Sequence, residues 1–71
     1  MTLDTLRPFK ETQHGYETVS RNGEHTYVIT FNGIDYDVTH YWAFNPVGEL
    51  IATATSTPSS AAREHYAKLQ S

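Results

Sequence analysis

Two long stretches of alternating apolar and polar residues dominate the chain between residues 24 and 44. In the first stretch, the residues of one parity are His25, Tyr27, Ile29 and Phe31. In the second, every other residue from Ile34 to Phe44 repeats this pattern, with Trp42 among them. A period of two is typical of β-strands that bury one face. Asn32-Gly33 joins the stretches and favours a two-residue type I′ turn, so the pattern predicts a β-hairpin.

Further strands are expected on both sides of this hairpin. Residues 16–21 form a short strand that ends at a second Asn-Gly pair, Asn22-Gly23. Residues 45–48, Asn-Pro-Val-Gly, suit a turn with a bulge, and residues 49–55 then form the fourth strand. Because short loops fix register, opposite partners can be predicted. The expected pairs are Thr18 with Tyr27, Tyr16 with Ile29, Ile29 with Tyr36, Tyr27 with Val38, His25 with His40, Phe44 with Leu50, Trp42 with Ala52, and His40 with Ala54.

The C-terminal segment predicts a helix that packs on the sheet. Thr57 is a suitable N-cap and Pro58 suits the first helical position. Ala62, Tyr66 and Leu69 then form one apolar stripe at positions i, i+4 and i+7. The expected fold class is α+β, a four-stranded antiparallel meander of order 1-2-3-4 with the helix on one face, where Trp42 is expected beneath it.

The chain is expected to form one domain over residues 1–71, with an arm at 1–15, the meander at 16–55 and the helix at 58–70. In the arm, Thr2 is expected to cap a helical turn that carries Leu3 and Leu6 and that ends at Pro8. Residues 10–15 are polar and are interpreted as a connection.

Composition narrows the functional classes. The chain has 71 residues, no cysteine and a formal net charge of −3. Without cysteine there are no disulfides and no thiolate metal sites. No apolar run suggests a signal peptide or a membrane span, so a cytoplasmic location is expected. The acidic balance disfavours nucleic-acid binding, which depends on contacts with phosphates.

One face of the predicted sheet is expected to remain uncovered. By parity this outer face carries Glu17, Val28, Asp35, Asp37 and Tyr41. Glu17, Val28 and Asp37 are expected in one cross-strand row. Carboxylates around exposed apolar side chains favour a docking surface for a basic protein partner. The alternative is an ordinary solvated face, which is common in antiparallel sheets.

The fourth strand is also a candidate interface because it lies at the edge of the sheet. Ile51, Thr53 and Thr55 are expected to face outward on a strand without charge after Glu49. Such an edge invites pairing with another strand, either from a partner protein or from a second copy of the chain.

Three histidines are expected near one another on the inner face. His25 and His40 come from neighbouring strands, and His65 lies beside the helical stripe. Converging imidazoles can bind zinc, but the chain has no local pair such as His-x₃-His. Histidines at the sheet margin are therefore preferred to a metal centre, and no cofactor is expected. Neighbouring imidazoles that protonate below about pH 6.5 would repel one another and loosen the fold.

Catalytic motifs are weak. Asp35 and Asp37 share a face, as an acid–base pair would, but a flat sheet face lacks the concave pocket that catalysis needs. The chain is therefore expected to bind a protein, as an inhibitor or adaptor, and not to act as an enzyme.

The β-β-β-α order, which ends in the alanine-containing segment 59–69, resembles the second half of double-stranded-RNA-binding domains in topology. The basic cluster that opens the helix in that family is replaced here by Pro58, Ser59 and Ser60. No binding residue is therefore assigned from the family. Nucleic-acid binding is the alternative function, and it would use Arg21, Tyr41, Arg63 and Lys68.

Overall fold

The computed structural model describes residues 5–70, apart from the side chain of Pro46. Its elements are β1 (Lys10–Thr12), β2 (Gly15–Val19), β3 (His25–Phe31), β4 (Tyr36–Trp42), β5 (Asn45–Thr55) and α1 (Pro58–Gln70). The strands form one antiparallel sheet of order β1-β2-β3-β4-β5. The α+β class, the sequential antiparallel order and the C-terminal helix are confirmed. The sheet has five strands, however, and not four.

The additional strand is β1, which lies within residues 10–15, the segment that was predicted to be a connection. Lys10 lies opposite Glu17, and Thr12 lies opposite Gly15. The preceding residues continue along β2, because Leu6 bridges Ser20 and the Arg7 amide donates to the Val19 carbonyl at 3.2 Å. The predicted helical turn is therefore wrong at Leu6, whereas Thr2 and Leu3 lie outside the described residues.

The β2–β3 register agrees with the sequence analysis. Thr18 lies opposite Tyr27, and Tyr16 lies opposite Ile29. The connection is closed by the Gly23 amide, which donates to the Ser20 carbonyl at 2.9 Å, and only Gly23 has a positive φ, 78°. The turn geometry therefore differs from type I′, which needs two such residues, while the predicted register is confirmed.

The β3–β4 register differs from the prediction by two residues. Ile29 lies opposite Val38 and Tyr27 opposite His40, instead of Tyr36 and Val38. The cause is Asn32, whose side-chain Oδ1 accepts hydrogen bonds from the amides of Ile34 (3.0 Å) and Asp35 (2.8 Å). The tight turn is therefore Gly33-Ile34, and Gly33 alone takes a positive φ, 102°. A slip of two residues preserves the faces of a strand, so the predicted division into inner and outer residues is retained.

The β4–β5 hairpin turns earlier than predicted. Trp42 lies opposite Asn45, so Ala43 and Phe44 form the turn and residues 45–48 belong to β5. Val38 lies opposite Ala52, and His40 opposite Glu49, so the predicted Trp42–Ala52 and His40–Ala54 pairs are wrong. The 11 residues of β5 oppose the 7 of β4 through several register shifts, and Ala54 takes a φ of 55°. Such bulges bend a strand and change which side chains face inward.

The core lies between the inner face of the sheet and helix α1. Its fully buried members are Tyr27, Ile29, Val38, Ala62 and Tyr66. The predicted stripe is thus confirmed at two positions, whereas Leu69 is about half exposed. Among the described residues, no helix is both long and apolar enough to cross a membrane.

Candidate functional site

The outer face of the sheet lies opposite the helix, and no other element of residues 5–70 packs across it. Register places one row of side chains across it in the order Lys10, Glu17, Val28, Thr39 and Leu50. Val28 is therefore flanked by Glu17 and Thr39, and the predicted Glu17–Val28–Asp37 row is wrong. The reason is the two-residue shift between β3 and β4, which places Asp37 opposite Thr30.

Asp37 is held by neighbouring side chains. Its Oδ1 accepts hydrogen bonds from Thr53 Oγ1 at 2.6 Å and from Asn32 Nδ2 at 3.1 Å. These bonds hold the pKa of the Asp37 carboxyl below its usual range, and the bond from Thr53 has the largest effect. Asp35 belongs to the β3–β4 turn, where its amide and carbonyl bond Asn32. The two aspartates therefore lie toward that turn, in other rows than Glu17 and Val28.

Tyr41 lies on the outer face, as predicted, opposite Thr26. Its ring covers Gly48 of β5: a Cβ atom built on Gly48 would lie 2.6 Å from Tyr41 Cε1 and 3.1 Å from Thr39 Cγ2. Gly48 is therefore needed for close approach to a side chain and not for a turn.

The edge position of the last strand is as predicted, because β5 pairs only with β4 in the described sheet. The predicted outward direction is wrong for Ile51, which packs against the core. Thr53 is exposed and bonds Asp37, while Thr55 Oγ1 accepts the Thr57 amide at 3.1 Å. The bulges of β5 cause these differences.

Leu50 is the residue of this surface that sequence reasoning missed. The expected turn at residues 45–48 placed it on the inner face opposite Phe44. In the structure Leu50 lies opposite Thr39 and is 57% exposed. Proline occurs in edge strands as well as in turns. Pro46 therefore allowed residues 45–48 to be predicted as part of an edge strand, which would have placed Leu50 correctly.

A second apolar surface lies at the β4–β5 hairpin end, defined here as Trp42, Phe44 and Val47. Phe44 is 70% and Val47 76% exposed, and the Trp42 and Phe44 rings lie 5.0 Å apart. Trp42 and Val47 also line a cleft of about 90 Å³ with His40, Asn45 and Glu49. Trp42 was expected beneath the helix, whereas the structure exposes part of it at the sheet margin.

The fold brings together the three histidines that the sequence singled out. His25 lies opposite Trp42, not opposite His40 as predicted, because of the β3–β4 shift. Its ring nevertheless stacks on that of His40, with centroids 5.1 Å apart and Nδ1 of His25 2.9 Å from Nε2 of His40. His65 of α1 completes the cluster, with its ring 4.9 Å from that of His40 and its Nδ1 2.8 Å from the Tyr27 hydroxyl.

The environments of His40 and His65 favour the uncharged forms of these two imidazoles. Burial, together with the nearby His65 and His25, lowers the pKa of His40, which is 8% exposed. Burial also lowers the pKa of His65, and the Glu49 carboxylate only partly offsets this effect. Within residues 5–70, no group of three or more His, Cys, Asp or Glu side chains has an arrangement that could hold a metal ion. The His25 and His40 nitrogens instead bond each other.

The residues that the nucleic-acid alternative requires are divided between surfaces. Tyr41 lies on the outer face and Arg21 in the β2–β3 connection, whereas Arg63 and Lys68 belong to α1, which packs on the inner face. The Arg63 guanidinium lies over the Phe9 ring, 5.4 Å from its centroid. These residues therefore do not form one basic surface.

A groove of about 310 Å³ separates the N-terminal segment from the start of α1, with Phe9, Tyr16 and Arg63 among its walls. Among the described residues that line it there is no carboxylate or histidine, so these residues offer no acid–base pair.

Comparisons of the chain with protein families, with curated sequences and with solved structures gave no match. The candidate site is therefore interpreted from its own residues.

Proposed function

We propose that the protein is a small protein-interaction module, an inhibitor or adaptor, that binds a partner protein through the outer face and the adjoining β5 edge. The contact centre is Val28, Tyr41 and Leu50. The observation that carries the proposal is the position of Leu50, an exposed apolar side chain on an edge strand beside an uncovered sheet face. Exposed apolar patches next to polar rims commonly mark interfaces.

The edge adds a second means of recognition. A partner strand that pairs with β5 forms main-chain hydrogen bonds, while the outer face supplies apolar contacts. The left-handed Ala54 interrupts the edge, so the segment available for pairing ends before it. Residues 49–53 are therefore the proposed pairing segment, and a second copy of the chain is the alternative occupant.

The acidic residues are assigned a role at the margin. Glu17 lies beside Val28, and Asp35 and Asp37 lie toward the β3–β4 turn. With a net charge of −3, they favour a partner whose complementary surface is basic, and they act mainly on the association rate. The proposed activity needs no cofactor and no catalysis, and the absence of cysteine fits a reducing compartment such as the cytoplasm.

The test compares two apolar-to-lysine variants as bait in a lysate of the producing cells. Leu50→Lys changes the proposed contact centre, while Ile34→Lys changes a side chain that is 85% exposed in the β3–β4 turn. Loss of one buried leucine contact is worth about 2 kcal/mol, which weakens binding about thirtyfold. We expect Leu50→Lys to lose the partner and Ile34→Lys to retain it.

Circular dichroism confirms that both baits are folded. Equal capture by the two variants contradicts the proposed contact centre. A third bait combines Asp35→Lys with Asp37→Lys and tests the contribution of the acidic residues to the association rate. We expect this bait to associate more slowly with the same partner. If a second copy of the chain occupies this surface, sedimentation should show a dimer, and Leu50→Lys should convert it to a monomer.

A further inference from the structure

The histidine cluster joins helix α1 to the sheet on the inner face, the side opposite the proposed outer-face contact centre. Its members come from three elements: His25 from β3, His40 from β4 and His65 from α1. The His25–His40 and His40–His65 ring centroids are 5.1 and 4.9 Å apart. At these distances, a charge on one imidazole acts strongly on the next.

The surroundings of the cluster hold little negative charge to balance protonation. From β5, Glu49 lies opposite His40, and its carboxylate favours the charged forms of His40 and His65. From α1, Lys68 opposes protonation of His65. Three aromatic residues also adjoin the cluster. The Tyr27 hydroxyl forms a hydrogen bond with His65, and the ring centroids of Trp42 and Tyr66 lie 6.1 and 5.4 Å from that of His25. Within residues 5–70, a fully protonated cluster thus sets three imidazolium charges against the exposed carboxylate of Glu49.

The hydrogen bond between His25 and His40 depends on the same proton balance. Its two nitrogens, Nδ1 of His25 and Nε2 of His40, are 2.9 Å apart. One of them must donate and the other accept, which requires at least one neutral ring. When both rings are protonated, two N–H groups point at each other and the bond is lost.

We propose that the histidine cluster is a pH-operated latch, which holds helix α1 on the sheet while its imidazoles are neutral and releases the helix when they are protonated. The helix is the element that would leave, because its 13 residues are too few for a stable isolated helix. Its docked face is small, with Ala62 and Tyr66 as its buried residues.

The direction of the lowered pKa values supports this proposal. His40 and His65 have pKa values below the usual 6.5 in the folded chain, so the unfolded chain binds more protons below that pH. Stability is therefore complete above about pH 6.5 and is lost as the pH falls below it. His40 and His65 can each lower the folding equilibrium constant by up to tenfold per pH unit in that window.

The test measures urea unfolding at about pH 7.5 and about pH 5.5 for the wild type, His65→Gln and His14→Gln. His14 lies in the exposed β1–β2 turn, outside the cluster, and serves as the matched control. We expect the folding equilibrium constant of the wild type and of His14→Gln to fall at least tenfold on acidification. For His65→Gln the fall should be severalfold smaller, whatever its stability at neutral pH.

Amide hydrogen exchange then identifies the element that is released. We expect the protection factors of α1 to fall at about pH 5.5 while those of β3 and β4 persist. Equal stability of the wild type at both pH values would overturn the proposal, as would equal pH dependence of the two variants. Loss of protection by helix and strands together would also overturn it, because no latch would then be present.

Discussion

Gly48 lies beneath the ring of Tyr41, so close that a Cβ atom at position 48 would stand 2.6 Å from Tyr41 Cε1. This contact fixes the path of β5 across the outer face and keeps the Tyr41 ring beside the edge strand. It also explains why the sequence Asn-Pro-Val-Gly at residues 45–48 is part of a strand: Gly48 lacks the positive φ of a turn glycine.

Gly48→Ala should displace the Tyr41 ring and destabilise the fold by about 1 kcal/mol, because the added methyl group overlaps the ring and the ring is able to move. Urea unfolding measures the change. In a Tyr41→Ala background the same substitution should cost much less, since the overlapping ring is absent. An equal cost in both backgrounds would show that the ring is not the cause.

Gly15→Ala should be the more damaging glycine substitution. A Cβ atom at Gly15 would lie 2.0 Å from the Ile29 carbonyl oxygen, and this backbone group is fixed in the β2–β3 ladder. We expect a loss of about 3 kcal/mol in the free energy of unfolding. Gly23→Ala is the control, because its Cβ meets no atom within 4 Å, so only its positive φ of 78° is strained. That variant should lose about 1 kcal/mol.

The parts of the fold that followed from sequence are those with local determinants. Alternation divided the residues of β3 and β4 into inner and outer sets, and it placed Val28 and Tyr41 on the outer face. The Asn22-Gly23 connection is short enough that the register of Tyr16 and Thr18 followed from it. Helix α1 was predictable from Pro58 and the spacing of its apolar residues.

The remaining features depend on interactions that a sequence pattern does not contain. The Asn32 side chain moves a turn by one residue and so moves Asp37 away from Val28. The bulges of β5 expose Leu50 and bury Ile51 in part. Strand β1 is a short polar edge strand, so it lacks the apolar alternation by which strands are recognised.

The exposure of the hairpin end also follows from dimensions that the sequence does not give. Helix α1 has 13 residues and is about 20 Å long, whereas the molecule extends over 39 Å. The helix is thus too short to cover the full length of the molecule, and at the β4–β5 hairpin end Trp42 is 40% and Phe44 70% exposed.

Ala54→Gly should stabilise the protein. Ala54 is the only described residue other than glycine with a positive φ, 55°. Relief of this strain exceeds the entropy that glycine adds to the unfolded chain, so we expect a gain of about 0.5 kcal/mol. Thermal unfolding measures the gain. Ala52→Gly, in the same strand but with an ordinary backbone, should lose about 1 kcal/mol, and a similar loss for Ala54→Gly would contradict the explanation.

Tyr27 should make the free energy of unfolding depend on pH in the alkaline range. Burial of its side chain, with a smaller contribution from Tyr66, raises its pKa well above the usual 10.0. The folded chain therefore keeps a proton that the unfolded chain releases, so this stabilisation is complete below pH 10.0 and is lost as the pH rises above it. The loss should reach about 1.4 kcal/mol per pH unit.

Urea unfolding of Tyr27→Phe isolates this effect. The variant should show a weaker alkaline dependence than the wild type, while Tyr41→Phe, at an exposed tyrosine, should leave it unchanged. If Tyr27→Phe retains the full dependence, Tyr27 is not its source.

A partner that docks on the outer face and the β5 edge should protect the amides of that edge, and hydrogen exchange of the protein with and without the captured partner measures this protection. Residues 49–53 lie on an edge strand, so their outward amides should gain protection only when another strand pairs with them. We expect increased protection in residues 49–53, with no change in α1. Protection confined to α1 or to the β1 edge, with residues 49–53 unchanged, would contradict it.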